Sequence, residues 1–245
     1  MKRIFGIILI YLFVSSTISA QSFGFGCLGL SGFYGGYGIH TYDATGLNNA
    51  IALKYPGQQN ITLPKFEQST GFRFGANILR AEFESVFITA KGFYQFGREE
   101  KSLSFDVNGS SNIQEDYELQ SNHWGIAIDF GLPLFKFLQL KLVEGGVTFY
   151  NIEYKENIYQ NDVLISEESY QNDGFDLGYY VGTGLIIILI KDYVSIEGSA
   201  MYHFYNVETI QNSDGQNYFT GEDNKPFIEN GKFAAAVQLN IGFPL

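Results

Sequence analysis

The sequence predicts an all-β chain, an antiparallel up-and-down barrel of eight strands, and three observations carry that prediction. The last strand, Phe233 to Phe243, alternates strictly: Phe233, Ala235, Val237, Leu239, Ile241 and Phe243 form one apolar face, and Ala234, Ala236, Gln238, Asn240 and Gly242 the other. The same alternation recurs along the chain in segments about 10 residues long, the length a tilted membrane-crossing strand needs. Composition agrees, with 17% aromatic residues and 28 glycines but only 2 Met and 1 Trp. Tyr, Phe and Gly suit a twisted sheet better than a helical core. In hydrocarbon every backbone polar group must be paired, so one such strand requires neighbours and a closed sheet.

Taken in order, Met1-Lys2-Arg3 is a basic head, Ile4 to Val14 an apolar run, and Ser15 to Ala20 a small-residue tail. This is the layout of a secretory leader, so residues 1–20 are expected to be a signal peptide cleaved after Ala20 and residues 21–245 a single barrel domain. The single cysteine, Cys27, excludes an intrachain disulfide and reads as a small strand residue. A first, glycine-rich strand is expected over Phe23 to His40; its pattern leaves the phase ambiguous, and Leu28, Leu30 and Tyr34 are placed outward. Tyr42 to Gln68 breaks the alternation. Leu47, Ala50, Ile51 and Lys54 have helical spacing, Thr45 is the expected cap, and Pro56-Gly57 ends the run. That predicts a long first loop bearing a short helix packed on the barrel mouth, with ligand gripping as its alternative role.

Alternation resumes at Gly71 to Leu79, with Phe72, Phe74, Ala76 and Ile78 out and Arg73 in. A short turn at Arg80 to Phe83 follows. The next strand puts Val86, Ile88, Ala90, Tyr94 and Phe96 out and Thr89, Lys91 and Gln95 in, then runs on through Arg98 to Val107. Asn108-Gly109-Ser110-Ser111 turns it. The return strand carries Trp124, Ile126, Ile128, Phe130 and Leu132 out and His123, Ala127 and Asp129 in, ending in a tight turn at Pro133 to Phe137. Leu138, Leu140 and Leu142 face out, Gln139 and Lys141 in, and a bulge is expected at Glu144-Gly145-Gly146. Asn161-Asp162 turns this strand near Ile158. Leu177, Tyr179, Val181, Leu185, Ile187 and Leu189 then face out, Lys191-Asp192 forms a two-residue hairpin, and Ser195, Glu197, Ser199, Met201 and His203 face in. A polar loop over about 211–230 leads to the last strand. The turns near Arg80, Pro133 and Lys191 are short and the loops at the other end long, so the termini are expected on the periplasmic side of a bacterial outer membrane.

The leader, the alternation and the terminal Gln238-Leu239-Asn240-Ile241-Gly242-Phe243 resemble small outer-membrane barrels of the OmpA/OmpX/OmpW kind, in the glycine- and tyrosine-rich Bacteroidota style. The resemblance covers nearly the whole chain after the leader. It implies insertion into the outer-membrane bilayer through the assembly machinery, which reads an aromatic last residue; here Pro244-Leu245 follow Phe243.

Function is less legible. A net charge of -11, from 26 acidic and 15 basic residues, argues against nucleic acid. The inward set Arg73, Lys91, Asp129, Lys141 and Glu197 is expected to pair and close the lumen, since eight strands leave room only for side chains; a proton or small-solute path is the alternative. Glu99, Glu100, Asp106, Glu115, Asp116, Glu118, Glu167, Glu168, Asp173, Glu222 and Asp223 gather at the outer ends as a solvated rim, with a weak Ca²⁺ alternative. Tyr117, Tyr154, Tyr159 and Tyr170 are interleaved with Glu115, Asp116, Glu167 and Glu168, which predicts an extracellular interaction face for a protein, cationic peptide or glycan. The three histidines, His40, His123 and His203, lack a nearby nucleophile in sequence; Ser199 lies four residues before His203, too far along a strand for contact. No cofactor is expected. The reading is a non-enzymatic barrel serving envelope integrity or surface interaction. A transporter of small hydrophobic molecules with a lateral exit is second, and a lipid-modifying hydrolase third.

Overall fold

The computed structural model describes residues 32–56, 62–83, 85–107, 111–218 and 225–242. The expected leader, Cys27, Leu28, Leu30, Asn108-Gly109, Glu222, Asp223 and Phe243 lie outside the described residues, and the side chain of Asp106 with them.

The strands are β1 (Gly32–Asp43), β2 (Gln68–Glu82), β3 (Phe87–Gln95), β4 (Arg98–Val107), β5 (Ser111–Phe135), β6 (Leu138–Gln160), β7 (Val163–Gln171), β8 (Asp176–Ile190), β9 (Val194–Phe204) and β10 (Asn230–Gly242). The single helix among the described residues, α1 (Thr45–Leu53), lies between β1 and β2. β4 continues β3, and β8 continues β7 after a break at residues 172–175, so the ten segments make eight staves. Each stave pairs antiparallel with the next, and β1 pairs with both β2 and β10, which returns the ladder to its start.

Alternation does its work across the ring. Phe72, Phe74, Trp124, Ile126, Ile128, Leu177, Tyr179, Val181, Val237, Leu239 and Ile241 are exposed on the outer wall, while their neighbours Arg73, His123, Asp129, Gln238 and Asn240 are buried in the lumen. Large rings fit this narrow interior because glycines face them. A Cβ at Gly75 would stand 2.5 Å from the Tyr34 ring, and one at Gly131 2.4 Å from the Phe87 ring. Tyr34 therefore points inward, contrary to the outward phase read from β1; Phe33, Tyr37 and Ile39 form its outer face. In a strand where four of twelve residues are glycine, two of them adjacent, hydrophobicity does not set the phase.

Turn chemistry is mostly as expected, with shifts of a residue or two. Asn161 and Asp162 both take positive φ (51° and 64°), the left-handed pair that a two-residue hairpin wants and that Asn and Asp tolerate. Lys136-Phe137 links β5 to β6, since Phe135 still pairs with Leu138. Pairing of Ile190 with Val194 leaves three residues, not two, in the Lys191 hairpin. The β2–β3 pairing runs on to Glu82 and Phe87, past the expected turn at Arg80. Thr45 is not the helix cap: it opens α1, and the Asp43 carboxylate accepts both its hydroxyl (2.6 Å) and its N–H (3.3 Å).

One shift matters for the site. The β6 bulge lies at Leu142-Val143, just before the predicted Glu144-Gly145-Gly146: Gly131 pairs with Lys141, but Phe130 pairs with Val143. Two adjacent apolar side chains thus face outward, and Lys141 and Glu144 both turn into the lumen.

Four strands outrun the rest. β4, the outer half of β5, the outer half of β6, and β7 form a sheet in that order that projects beyond the long-loop end of the ring. Its inner face, α1 and the β9–β10 connection share one apolar core, including Leu47, Ile51, Phe66, Leu103, Leu119, Ile152, Tyr154, Val207 and Phe227.

Candidate functional site

The lumen is filled in layers. At the short-turn end Gln139 accepts from Arg80 (2.5 Å) and donates to Glu82 (2.9 Å), and the Arg80 guanidinium lies 4.9 Å from the Phe87 ring centre.

Above this is a charge layer. The five predicted residues meet there, and Glu144 joins them. Lys91 Nζ lies 2.9 Å from Asp129, 3.1 Å from Glu144 and 3.3 Å from Glu197. Lys141 Nζ pairs with Glu144, reaches Glu197 at 2.5 Å, donates to Ser199 Oγ at 2.9 Å, and lies 3.9 Å from Asp129. Arg73 stands 3.7 Å from Glu144, with its guanidinium 4.0 Å over the Phe93 ring. Three cations face three carboxylates, all buried. Neighbouring strands add polar partners: Tyr180 donates to Glu144 (2.6 Å), and Gln238 and Asn240 donate to Glu197 (3.1 and 3.3 Å). Burying ions is tolerable only when such pairing and hydrogen bonding is this dense. The three carboxylates come close enough together to chelate a cation. Lys91 already occupies that position, within salt-bridge distance of all three, so the trio is a counter-charge for lysine.

Above the charges come His40, His123 and His203, from β1, β5 and β9, with the stacked pair Tyr150 and Tyr205 (ring centres 3.8 Å apart). His203 Nδ1 is 2.6 Å from the Tyr150 hydroxyl. Ser199 sits below, spent on Lys141 and Glu197, so it does not meet His203.

The top layer is the apolar core under α1, and it holds two of its own acids. Glu99, read as rim, is buried; it accepts from Tyr42, from the N–H of Glu67 (3.1 Å) and from that of Gln68 (2.9 Å). Burial, and then the Glu99 charge, push the Tyr42 phenol well above its ordinary pKa, which keeps it a donor. Glu156 is buried too, accepting from Tyr154 (2.7 Å) and Tyr218 (2.9 Å) and pairing with Lys54 of the segment after α1. Lys54 Nζ lies 5.8 Å from the Tyr117 ring centre and 5.7 Å from that of Tyr218, a cation held among aromatic faces.

The predicted interaction face divides. By strand alternation Tyr117, Tyr154, Tyr170, Glu115 and Glu168 lie on the inner face of the projecting sheet, and Tyr117 and Tyr154 are buried in the cap instead of presented to a partner. Tyr159, Asp116 and Glu167 lie on the outer face. Sequence reasoning missed Glu144, Glu99 and Glu156. The paired apolar residues Leu142-Val143 signal the bulge that turns Glu144 inward. Carrying the Lys91, Phe93, Gln95 phase onward would have placed Glu99 inside.

No family model matches the chain, and no curated protein matches it by sequence. Among solved structures it is similar to Ail, the attachment invasion locus protein of Yersinia pestis (12% identity, 88% of this chain and 98% of that one, TM-score 0.39). It is also similar to a major outer membrane protein from Thermus thermophilus (10% identity, 88% and 100%, TM-score 0.46) and to the outer membrane protease OmpT from Escherichia coli (11% identity, 87% and 94%, TM-score 0.37). Likenesses of this size say nothing of activity; the barrel rests on the strand ladders themselves.

Proposed function

We propose that the chain is a non-enzymatic, non-conducting barrel of a bacterial outer membrane that presents its projecting sheet for surface interaction. The observation that carries this is the filled lumen: a neutral six-charge layer below and an apolar cap above. The membrane assignment draws support from the outer wall, where more large apolar side chains are exposed than a water-soluble surface sustains. On this reading residues 1–20 are a cleaved leader, the short turns and both termini face the periplasm, and the assembly machinery reads the last strand. The bilayer is the first partner, and nucleic acid is not one. The projecting sheet has open edges: among the described residues β4 pairs with β5 and touches β2 only at Arg98, and β7 pairs with β6 alone apart from a bridge at Gln171. An exposed edge offers unpaired backbone groups to an extended peptide, and the outer-face acids favour a cationic one.

The second reading, a transporter of small hydrophobic molecules, has one feature in its favour. A groove of about 720 Å³ indents the outer wall at Tyr37, Ile39, Leu185, Gly198, Ala200 and Val237. Its lining includes Ser199, whose hydroxyl is bound by Lys141 of the charge layer, so the groove abuts the filled lumen. Planar-bilayer recording separates the readings. The purified chain should insert without a steady ion current; a large, stable, uniform conductance would sink the sealed-lumen reading.

A further inference from the structure

We infer that His40, His123 and His203 form a binding site for one divalent transition-metal ion of the zinc class, between the charge layer and the cap. These are all the histidines the chain has. They come from positions 40, 123 and 203 on three separate strands, yet the barrel brings them to one level, each buried. Their ring centres are 4.5 Å (His40–His203), 5.9 Å (His123–His203) and 6.0 Å (His40–His123) apart. A metal–nitrogen bond of about 2.0–2.1 Å sets imidazole centres roughly 5 Å apart around a tetrahedral ion, within that spread.

The second observation is hydrogen bonding. A histidine buried for structure alone should have its nitrogens paired. Here Nε2 of His40 is buried without a hydrogen-bond partner, and the His123 ring nitrogens and the Tyr205 hydroxyl have none of good geometry, Ser121 being the nearest candidate for both residues. His203 is differently placed. Its Nδ1 faces the Tyr150 hydroxyl at 2.6 Å, so a proton on Nδ1, donated to Tyr150, leaves Nε2 as the bare donor for a metal. Imidazole is the ligand type for zinc, copper and nickel, not for calcium or magnesium. The carboxylate trio below is no rival, because Lys91 fills it. The ring nitrogens are not gathered to coordination spacing as they stand, so binding requires the rings to turn against their aromatic neighbours, Tyr150 and Phe93 in the case of His123. The Tyr205 hydroxyl, or a water, would complete the coordination.

The site is enclosed, so the metal is offered during folding. The full chain is refolded into detergent micelles with Co²⁺, then freed of excess ion by gel filtration, with folding followed by heat-dependent gel mobility. The expected result is one Co²⁺ per chain, the visible ligand-field bands of a nitrogen-ligated ion, and loss of those bands when Zn²⁺ displaces it. His40→Phe, His123→Phe and His203→Phe should each weaken retention by at least about tenfold, the scale on which even outer-shell changes act. Wild-type protein that folds but retains no metal and shows no bands overturns the inference, whether or not the variants fold. So does retention that survives all three substitutions, which would mark an adventitious ion only.

Discussion

At the scale of single residues the charge layer makes the sharpest prediction. Lys91 reaches three carboxylates, so Lys91→Met leaves three buried negative charges with only Lys141 and Arg73. Stripping one partner from a buried ionic group costs about 3–5 kcal/mol, because the charge left behind has lost its compensation. Thermal or urea unfolding in micelles should show a loss of that order. Lys91→Met combined with Asp129→Leu removes one charge of each sign and should lose less than the sum of the two single variants. Strict additivity would mean the six residues do not act as one network. Five of the six were legible in the sequence, because each lies at an inward position of a strand whose other face is plainly apolar. Glu144 was not, since a bulge displaced by two residues exchanges the two faces of everything near it. Tyr34 was lost for the opposite reason: β1 has too many glycines for either face to declare itself.

At the scale of elements, the barrel strands were readable because period-2 alternation is a direct consequence of an apolar wall outside and packed side chains inside. Of the cap only α1 was readable, from the helical spacing of Leu47, Ala50 and Ile51, which form its buried face. The cap's residues come from α1, the long connections and the projecting sheet, which have no common period, and so Tyr117 and Tyr154 looked like surface when they are core. The junction of β1 with α1 gives a pH prediction. The Asp43 carboxylate holds the first turn of the helix through Thr45 and pairs with Lys232 at 3.0 Å. The Thr45 hydrogen bond first, and then Lys232, lower its pKa below the ordinary aspartate value. A depressed carboxylate contributes stability that is present above the unfolded pKa of about 3.9 and is lost as pH falls through the lower folded value. Protection factors of the amides at the start of α1, taken against the free-peptide rate at each pH, should therefore fall on acidification below about pH 4, and Asp43→Asn should flatten that dependence. Equal acid sensitivity in the variant would place the trigger in another group.

At the scale of the whole molecule the question is which layer seals the barrel and which part meets a partner. Both can be asked by cutting the projecting sheet back to the ring, joining Arg98 to His123 and Asn151 to Asp176 by tight turns. The ladders that close the ring survive the cut: Phe87 to Gln95 still pair with Gly131 to His123, Tyr150 still pairs with His123 and with Asp176, and β8, β9, β10, β1 and β2 are untouched. The barrel should insert and keep its heat-dependent gel mobility. The cap should not survive, because Glu99, Leu103, Tyr117, Leu119, Ile152, Tyr154 and Glu156 leave with the sheet. That strips Leu47 and Ile51 of much of their cover and removes the counter-charge of Lys54, so amide exchange across α1 should rise throughout. The charge layer lies below the cut and remains complete, so the shortened protein should stay silent in a planar bilayer. If it conducts, the cap is the seal and the six charges line a path. If it stays closed yet still binds whatever partner the full chain binds, the recognising surface lies in the loops that remain, between β1 and β2 or between β9 and β10, and the open edges of β4 and β7 are not it.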